Sequence, residues 1–202
     1  MMKQLLLIRH GESEADLLKV HEGRADFPLT KRGHQQAEAM GKWVAERYEL
    51  DLIFASTLKR AAQTAQHLSN AAGIPVTADE DLMEFNNGLL AGLPFEEAAA
   101  RYPRVENLPP DQSVYGQESQ YAFRARADRA LARCLEKIPD GATAAIVSHG
   151  GMINQLFASL IGLPPAASPR FLTGDTGVHL WIVSQEGPRL MFANKQEHLQ
   201  NI

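Results

Sequence analysis

Two arginines and two histidines stand where apolar segments of this chain end. Leu5-Leu6-Leu7-Ile8 runs into Arg9-His10-Gly11, Ala144 to Val147 runs into Ser148-His149-Gly150, and Arg60 follows the apolar stretch Leu52 to Ala55 by a few residues. In parallel sheets ligands bind beyond the carboxyl ends of the strands, so these side chains would meet at one mouth. Their chemistry suits a phosphate. A phosphate monoester at neutral pH carries nearly two negative charges, which repel a nucleophile and make its hydrolysis in water extremely slow. Arg9 and Arg60 are permanently charged and offer paired donors that match phosphate oxygens, and His149 adds a third donor. Two neighbouring guanidiniums disfavour protonation of His10, which keeps a ring lone pair available for attack. Glu84, ahead of Gly88 and Gly92, adds a carboxylate, and Gly11 would let the backbone come close to a ligand.

The elements that must carry these groups can be read from periodicity. Thr30 caps a helix with Ala37, Met40, Val44 and Tyr48 on one face. A second strand over Leu52 to Ala55 leads into a helix through Ala61, Ala65, Leu68 and Ala72, and a short strand near Val76 follows Gly73 and Pro75. This alternation predicts a mostly parallel sheet. Pro94 to Tyr102 fits a short helix with proline in its opening turn, inside a weakly periodic stretch of about 93 to 118 that should overhang the site. Ser119 to Ile138 reads as a long helix, Ala144 to Val147 as a central strand, and Met152 to Ile161 as a helix whose amino-terminal dipole points at the pocket. Val178 to Val183 and Leu190 to Ala193, separated by Gln185-Glu186-Gly187-Pro188, read as a closing hairpin with one strand antiparallel at an edge. The stretch before Pro28 reads as a polar loop.

Length and composition bound the rest. The 202 residues, 45% apolar and 22% charged, are read as a single domain over 1–202 with a substantial core. A net charge of −4 and the lack of a basic stripe argue against nucleic acid as a partner. The apolar run before Arg9 is too short for a signal peptide or a span, so a cytoplasmic protein without membrane attachment is expected. Cys134, in step with Leu131, Leu135 and Ile138, is expected to pack in the core. The sequence leaves the oligomeric state open, a homodimer included.

Taken together, Arg9-His10-Gly11-Glu12-Ser13, Pro28-Leu29-Thr30 with Gly33 and Gln36-Ala37, Ser56 to Ala65, Glu84, Gly116 with Glu118-Ser119, Phe123 and Arg124, and Ser148-His149-Gly150 resemble the histidine phosphatase superfamily of phosphoglycerate-mutase-like proteins, on its branch 1 phosphatase side. The resemblance implies a three-layer α/β/α sandwich and a metal-independent reaction without a cofactor. In it His10 is phosphorylated in line while a backbone carbonyl holds its other ring nitrogen. Glu84 protonates the leaving alcohol and then takes a proton from the water that attacks phosphohistidine. The implied catalytic set is Arg9, His10, Arg60, Glu84 and His149, and the implied substrate contacts add Ser13, Asp16, Glu22, Gly23 and Gly150. His21 is a candidate for the pocket's border, whereas His34, His67, His179 and His198 are read as structural or exposed. Ser56 and Ser148 are read as turn and strand-end residues.

The chain departs from the family where Asp16 and Glu22 replace neutral amides and where Leu90-Ala91 replaces an aromatic and acidic pair. At an effective dielectric of about 20 and roughly 7 Å, each carboxylate would repel each unit of phosphate charge by about 2 kcal/mol. Either these carboxylates face a cationic part of the substrate, or they pair with Lys19, Arg24 or the pocket arginines. The leading expectation is a phosphomonoesterase acting on small phosphorylated metabolites. A phosphoglycerate mutase is the alternative, disfavoured by the short segment between Glu84 and Glu118, and a non-catalytic phosphate-binding module is the third reading.

Overall fold

The computed structural model describes residues 2–167, 170–200 and 202. Strand β1, Met2–Arg9, has four consecutive fully buried residues, Leu5 to Ile8. Both faces of it are covered, as a central parallel strand requires. Leu5 and Leu7 point to one layer, packed with Phe123, Leu131, Met152 and Phe157. Leu6 and Ile8 point to the other, packed with Met40, Val44, Ala61 and Leu68. At about 1.5–3 kcal/mol for each fully buried aliphatic side chain, β1 is the spine of both cores.

A five-residue helix, α1 (Glu14–Leu18), interrupts the segment read from sequence as a polar loop. Periodicity cannot register so short an element, and what forms it is local: Asp16 Oδ2 accepts the Ser13 backbone N–H at 2.8 Å. Helix α2 (Lys31–Ala45) opens on Thr30, whose hydroxyl accepts the Gly33 N–H at 2.9 Å. Strand β2 (Leu52–Ala55), helix α3 (Lys59–Ala72) and strand β3 (Val76–Ala78) follow. Then come α4 (Phe95–Arg101), α5 (Gln120–Lys137), β4 (Thr143–Ser148) and α6 (Gly150–Leu160). Strands β5 (Val178–Ser184) and β6 (Gly187–Lys195) close the sheet.

The strand order is β3-β2-β4-β1-β5-β6. β1 and β4 run parallel in a register that places Arg9 opposite Ser148, and β2 runs parallel to both β3 and β4. The α/β fold is therefore a helix, sheet, helix sandwich with a mostly parallel sheet. β5 runs antiparallel to β1 and β6 antiparallel to β5, so the one reversed strand lies inside the sheet rather than at its edge, which β6 occupies. The hairpin turn is also tighter than read from sequence, since Gly187 and Pro188 already pair with Ser184 and Val183. Proline is tolerated there because β6 has no partner on its outer side. Cys134 is buried in the α5–α6 layer, where burial pushes its thiol up to about 12. No helix among the described residues is long and apolar enough to cross a membrane.

Candidate active site

The ends of β1, β2 and β4 bring the predicted side chains to one place. His10 is buried, and its Nδ1 lies 2.7 Å from the Gly11 carbonyl, the only role there for an N–H donor. Nε2 is then the bare nitrogen, and it accepts the Arg60 Nε–H at 3.3 Å. Burial first, then the Arg60 and Arg9 cations, hold the His10 imidazole well below its ordinary value. The cations were the predicted cause; burial outweighs them.

Arg60 is wholly buried in the first turn of α3, where a cation opposes the helix dipole. Its other donors fasten the loop above the site: Nη1 to the Ala25 carbonyl at 3.0 Å and Nη2 to the Gly23 carbonyl at 2.8 Å. Asp26 caps the same helix by accepting the Lys59 N–H at 2.7 Å.

His149 is also buried, with its ring 5.1 Å from that of His10. Its Nε2 lies 2.8 Å from Ser56 Oγ, which already accepts the Leu58 N–H at 3.3 Å. With the Ser56 hydrogen given to Nε2, Nδ1 of His149 is the ring donor; with the other tautomer Nε2 donates to Ser56. Among the described residues that Nδ1 is buried with no hydrogen-bond partner, as is Arg9 Nε. Arg9 is braced by the Thr173 carbonyl at 2.9 Å and by Asp175, 3.4 Å from Nη2.

Glu84 is held from both sides. Its Oε1 accepts the Phe85 N–H at 2.8 Å and its Oε2 the Gly151 N–H at 2.9 Å. The loop that carries it is clamped by Arg126, buried in α5, which donates to the carbonyls of Asp81 at 2.9 Å, Met83 at 2.6 Å and Glu84 at 3.0 Å. Glu118 completes the clamp, pairing with Arg126 at 2.5 Å and accepting the Asn86 N–H at 2.7 Å. Beside Glu84 opens a cavity of about 430 Å³ whose walls include Phe85, Phe123, Asn154, Gln155 and Phe171.

Of the loop residues predicted to touch substrate, Glu22 stands in the pocket, its Oε2 3.5 Å from Arg60 Nε and 3.7 Å from His10 Nε2. Burial raises its carboxyl above the usual range, against the pull of Arg60 and the Ser13 hydrogen bond. Among the described residues, neither Asp16 nor Glu22 pairs with Lys19 or Arg24. Ser13 is buried and bonds both carboxylates, while Asp16 is engaged as the cap of α1. Gly23 has φ +48°, and a Cβ on it would fall on the Asn87 amide. Gly150 opens α6 near Arg9 and Thr173.

The family model for the histidine phosphatase superfamily, branch 1, matches residues 5–196. The chain belongs to this superfamily. A "Probable phosphoglycerate mutase GpmB" of Salmonella paratyphi A is 35% identical over 174 residues, 84% of this chain and 80% of that one. A mycobacterial glucosyl-3-phosphoglycerate phosphatase superposes with a TM-score of 0.84 at 26% identity, covering 96% of this chain and 99% of the other. The alpha-ribazole phosphatase of Shigella flexneri gives 0.82 at 27% identity, with 96% of each chain covered.

Within this member of the histidine phosphatase superfamily several residues do work that sequence reading did not assign. Gly11 faces the backbone of α2, where a Cβ would come 2.6 Å from the Gly33 carbonyl, so it serves packing rather than ligand approach. Gly151 is a glycine whose missing side chain makes room for the Glu84 carboxylate. Ser56 orients His149, Thr173 and Asp175 brace Arg9, and Arg126 fixes the Glu84 loop. Ser148 bonds the Leu82 carbonyl at 2.7 Å. His21 turns from the pocket to pack edge-on against Phe95, ring centres 4.8 Å apart. The start of the segment expected to overhang the site buttresses its loop, with His21 N–H to the Leu93 carbonyl at 2.9 Å and Phe95 N–H to the Lys19 carbonyl at 3.4 Å. A signal for Arg126 existed: an arginine on the buried face of α5, where an aliphatic residue would otherwise stand. Among the described residues no group of three or more His, Cys, Asp or Glu side chains is arranged to hold a metal ion.

Proposed function

We propose that this protein is a phosphomonoesterase that hydrolyses small phosphorylated metabolites through a phosphohistidine on His10. The observation that carries the reading is the state of His10: Nδ1–H is tied to the Gly11 carbonyl, and Nε2 is bare beside two guanidiniums. Nε2 attacks phosphorus in line and the bond to the leaving oxygen breaks as Glu84 gives that oxygen a proton. A water then attacks the phosphohistidine, its proton passing to Glu84, and His10 leaves with its lone pair restored. Arg9, Arg60 and His149 stabilise the charge gathered on the equatorial oxygens. The leaving alcohol is assigned to the cavity beside Glu84, whose lining combines aromatic and amide side chains with the Arg170 guanidinium and suits a polar or anionic organic group.

The likeness to a protein named as a phosphoglycerate mutase supports a second reading, in which phosphohistidine is kept from water and the phosphoryl group returns to a turned substrate. Incubation with para-nitrophenyl phosphate and a panel of metabolite phosphates, with and without chelator, separates the two. Phosphate release that resists chelator and vanishes in His10→Ala is the expected result. Transfer between carbons of phosphoglycerate without release would establish the mutase. Binding without turnover would leave only a phosphate-binding module.

A further inference from the structure

Ser13 has one hydroxyl hydrogen and two carboxylate neighbours. Its Oγ lies 3.1 Å from Asp16 Oδ2 and in a short hydrogen bond with Glu22 Oε1. A single O–H cannot fully satisfy both, so two carboxyl groups crowd one donor beside the pocket. Asp16 Oδ2 is already an acceptor for the Ser13 backbone N–H. Glu22 is therefore the carboxyl left to take up a proton when further negative charge arrives. The other oxygen of Glu22, Oε2, faces Arg60 and His10, in the space a phosphoryl group must enter to reach Nε2.

We propose that Glu22 is a proton-carrying ligand of the phosphoryl group: the site takes up a tetrahedral dianion together with one proton, shared between the Glu22 carboxyl and an oxygen of the anion. The inference rests on the phosphate-handling reading of the pocket and adds a residue that sets which protonation state of substrate is accepted. In the loaded site the Ser13 hydroxyl turns its hydrogen to Oε1, and Glu22 carries its own on Oε2, where it donates to the anion. No bond other than O–H changes, and the proton comes from solvent.

Among the described residues four charged or titratable groups face Glu22. From the end of β1 come Arg9 and His10, from α3 Arg60, and from α1 Asp16. The two cations favour an ionised Glu22 while the site is empty. A bound dianion adds two like charges beside it and reverses that balance. A glutamine here would donate the same hydrogen bond at every pH; glutamate donates it only when protonated.

The test uses sulfate, whose charge does not change between about pH 6 and pH 9, so that any linked proton is the protein's. Calorimetric titration of the wild type and Glu22→Gln in two buffers of different ionisation enthalpy reads the number of protons taken up. The wild type is expected to take up one proton more than Glu22→Gln, and to lose sulfate affinity about tenfold per pH unit more steeply above the Glu22 midpoint. At the alkaline end Glu22→Gln should bind at least about tenfold more tightly. Equal proton uptake and equal slopes would overturn the proposal. Should Glu22→Gln fail to fold, infrared difference spectra of the wild type decide: a protonated carboxyl band in the sulfate complex supports it, and ionised carboxylate bands alone overturn it. Sulfate binding needs no turnover. A protein that shows the linkage but releases no phosphate would refute the phosphatase and leave the role of Glu22 standing; normal turnover without linkage would do the reverse.

Discussion

Replacing Gly151 by alanine should damage catalysis while sparing the fold. A methyl built on Gly151 would stand 3.0 Å from Cδ of Glu84 and 3.2 Å from Oε2, and closer still to Oε1. These atoms are the far end of a flexible side chain, so the clash is relieved by a retreat of the carboxylate of about 1 Å, a misplacement that can cost about 100-fold in rate. That factor corresponds to about 3 kcal/mol of lost transition-state stabilisation. The backbone gains in the other direction, since alanine in a helix is worth roughly 0.5–1 kcal/mol over glycine. The assay compares kcat/KM for an alkyl phosphate, whose leaving group needs the proton, with that for para-nitrophenyl phosphate, whose leaving group needs it far less. The alkyl ester should lose about 100-fold and the aryl ester much less, with an unchanged or raised Tm. An alkyl rate within threefold of wild type, or equal losses for both esters, would refute the placement of Glu84 as the proton donor.

Arg126→Met should leave three backbone carbonyls and the Glu118 carboxylate without their donor, at a cost of about 3–5 kcal/mol for a buried pair broken on one side, and a thermal melt should fall by roughly 10 °C. A shift below about 2 °C would mean that water replaces the clamp. Acid should loosen the fold through His179, which donates from Nε2 to the Thr173 hydroxyl, accepts the Asn194 N–H at Nδ1, and is lowered by burial to about 4. The unfolded chain takes a proton near an ordinary imidazole value of about 6.5, so this contribution is complete above that pH and is lost as pH falls toward 4, by about 3 kcal/mol. His10 and His149, also held neutral by burial, act in the same sense. Urea midpoints measured across this range should fall less steeply in His179→Gln than in the wild type.

The sheet and its helices were legible because burial on both faces writes itself as unbroken apolar runs, and burial on one face as helical spacing. Leu52 to Ala55 and the Thr30 cap were read at their observed positions for that reason. Arg9, His10, Arg60 and His149 were legible because each stands where such a run stops. What escaped was every contact made across the fold by a residue whose type says nothing of its partner. Ser56 reaching His149, Thr173 offering a carbonyl to Arg9, and Arg126 gathering three carbonyls depend on tertiary placement alone. α1 escaped because one capping contact, not a pattern, defines it. Asp16 and Glu22 illustrate the same limit: sequence marked both as carboxylates near an anion, and only coordinates separate the helix cap from the pocket residue.

The pairing of Arg9 with Ser148 across adjacent parallel strands has a consequence for how the reaction centre ages and varies. His10 and His149 each follow a matched position, so their mutual distance is inherited from the hydrogen-bonded spacing of two interior strands of about 4.8 Å. Loops around the mouth can lengthen, shorten or change charge without altering that gap. The two imidazoles can be pulled apart only by tearing the middle of the sheet, an event as rare as unfolding itself. Chemistry is thereby tied to the most durable part of the molecule, and selectivity is left to the part most free to change.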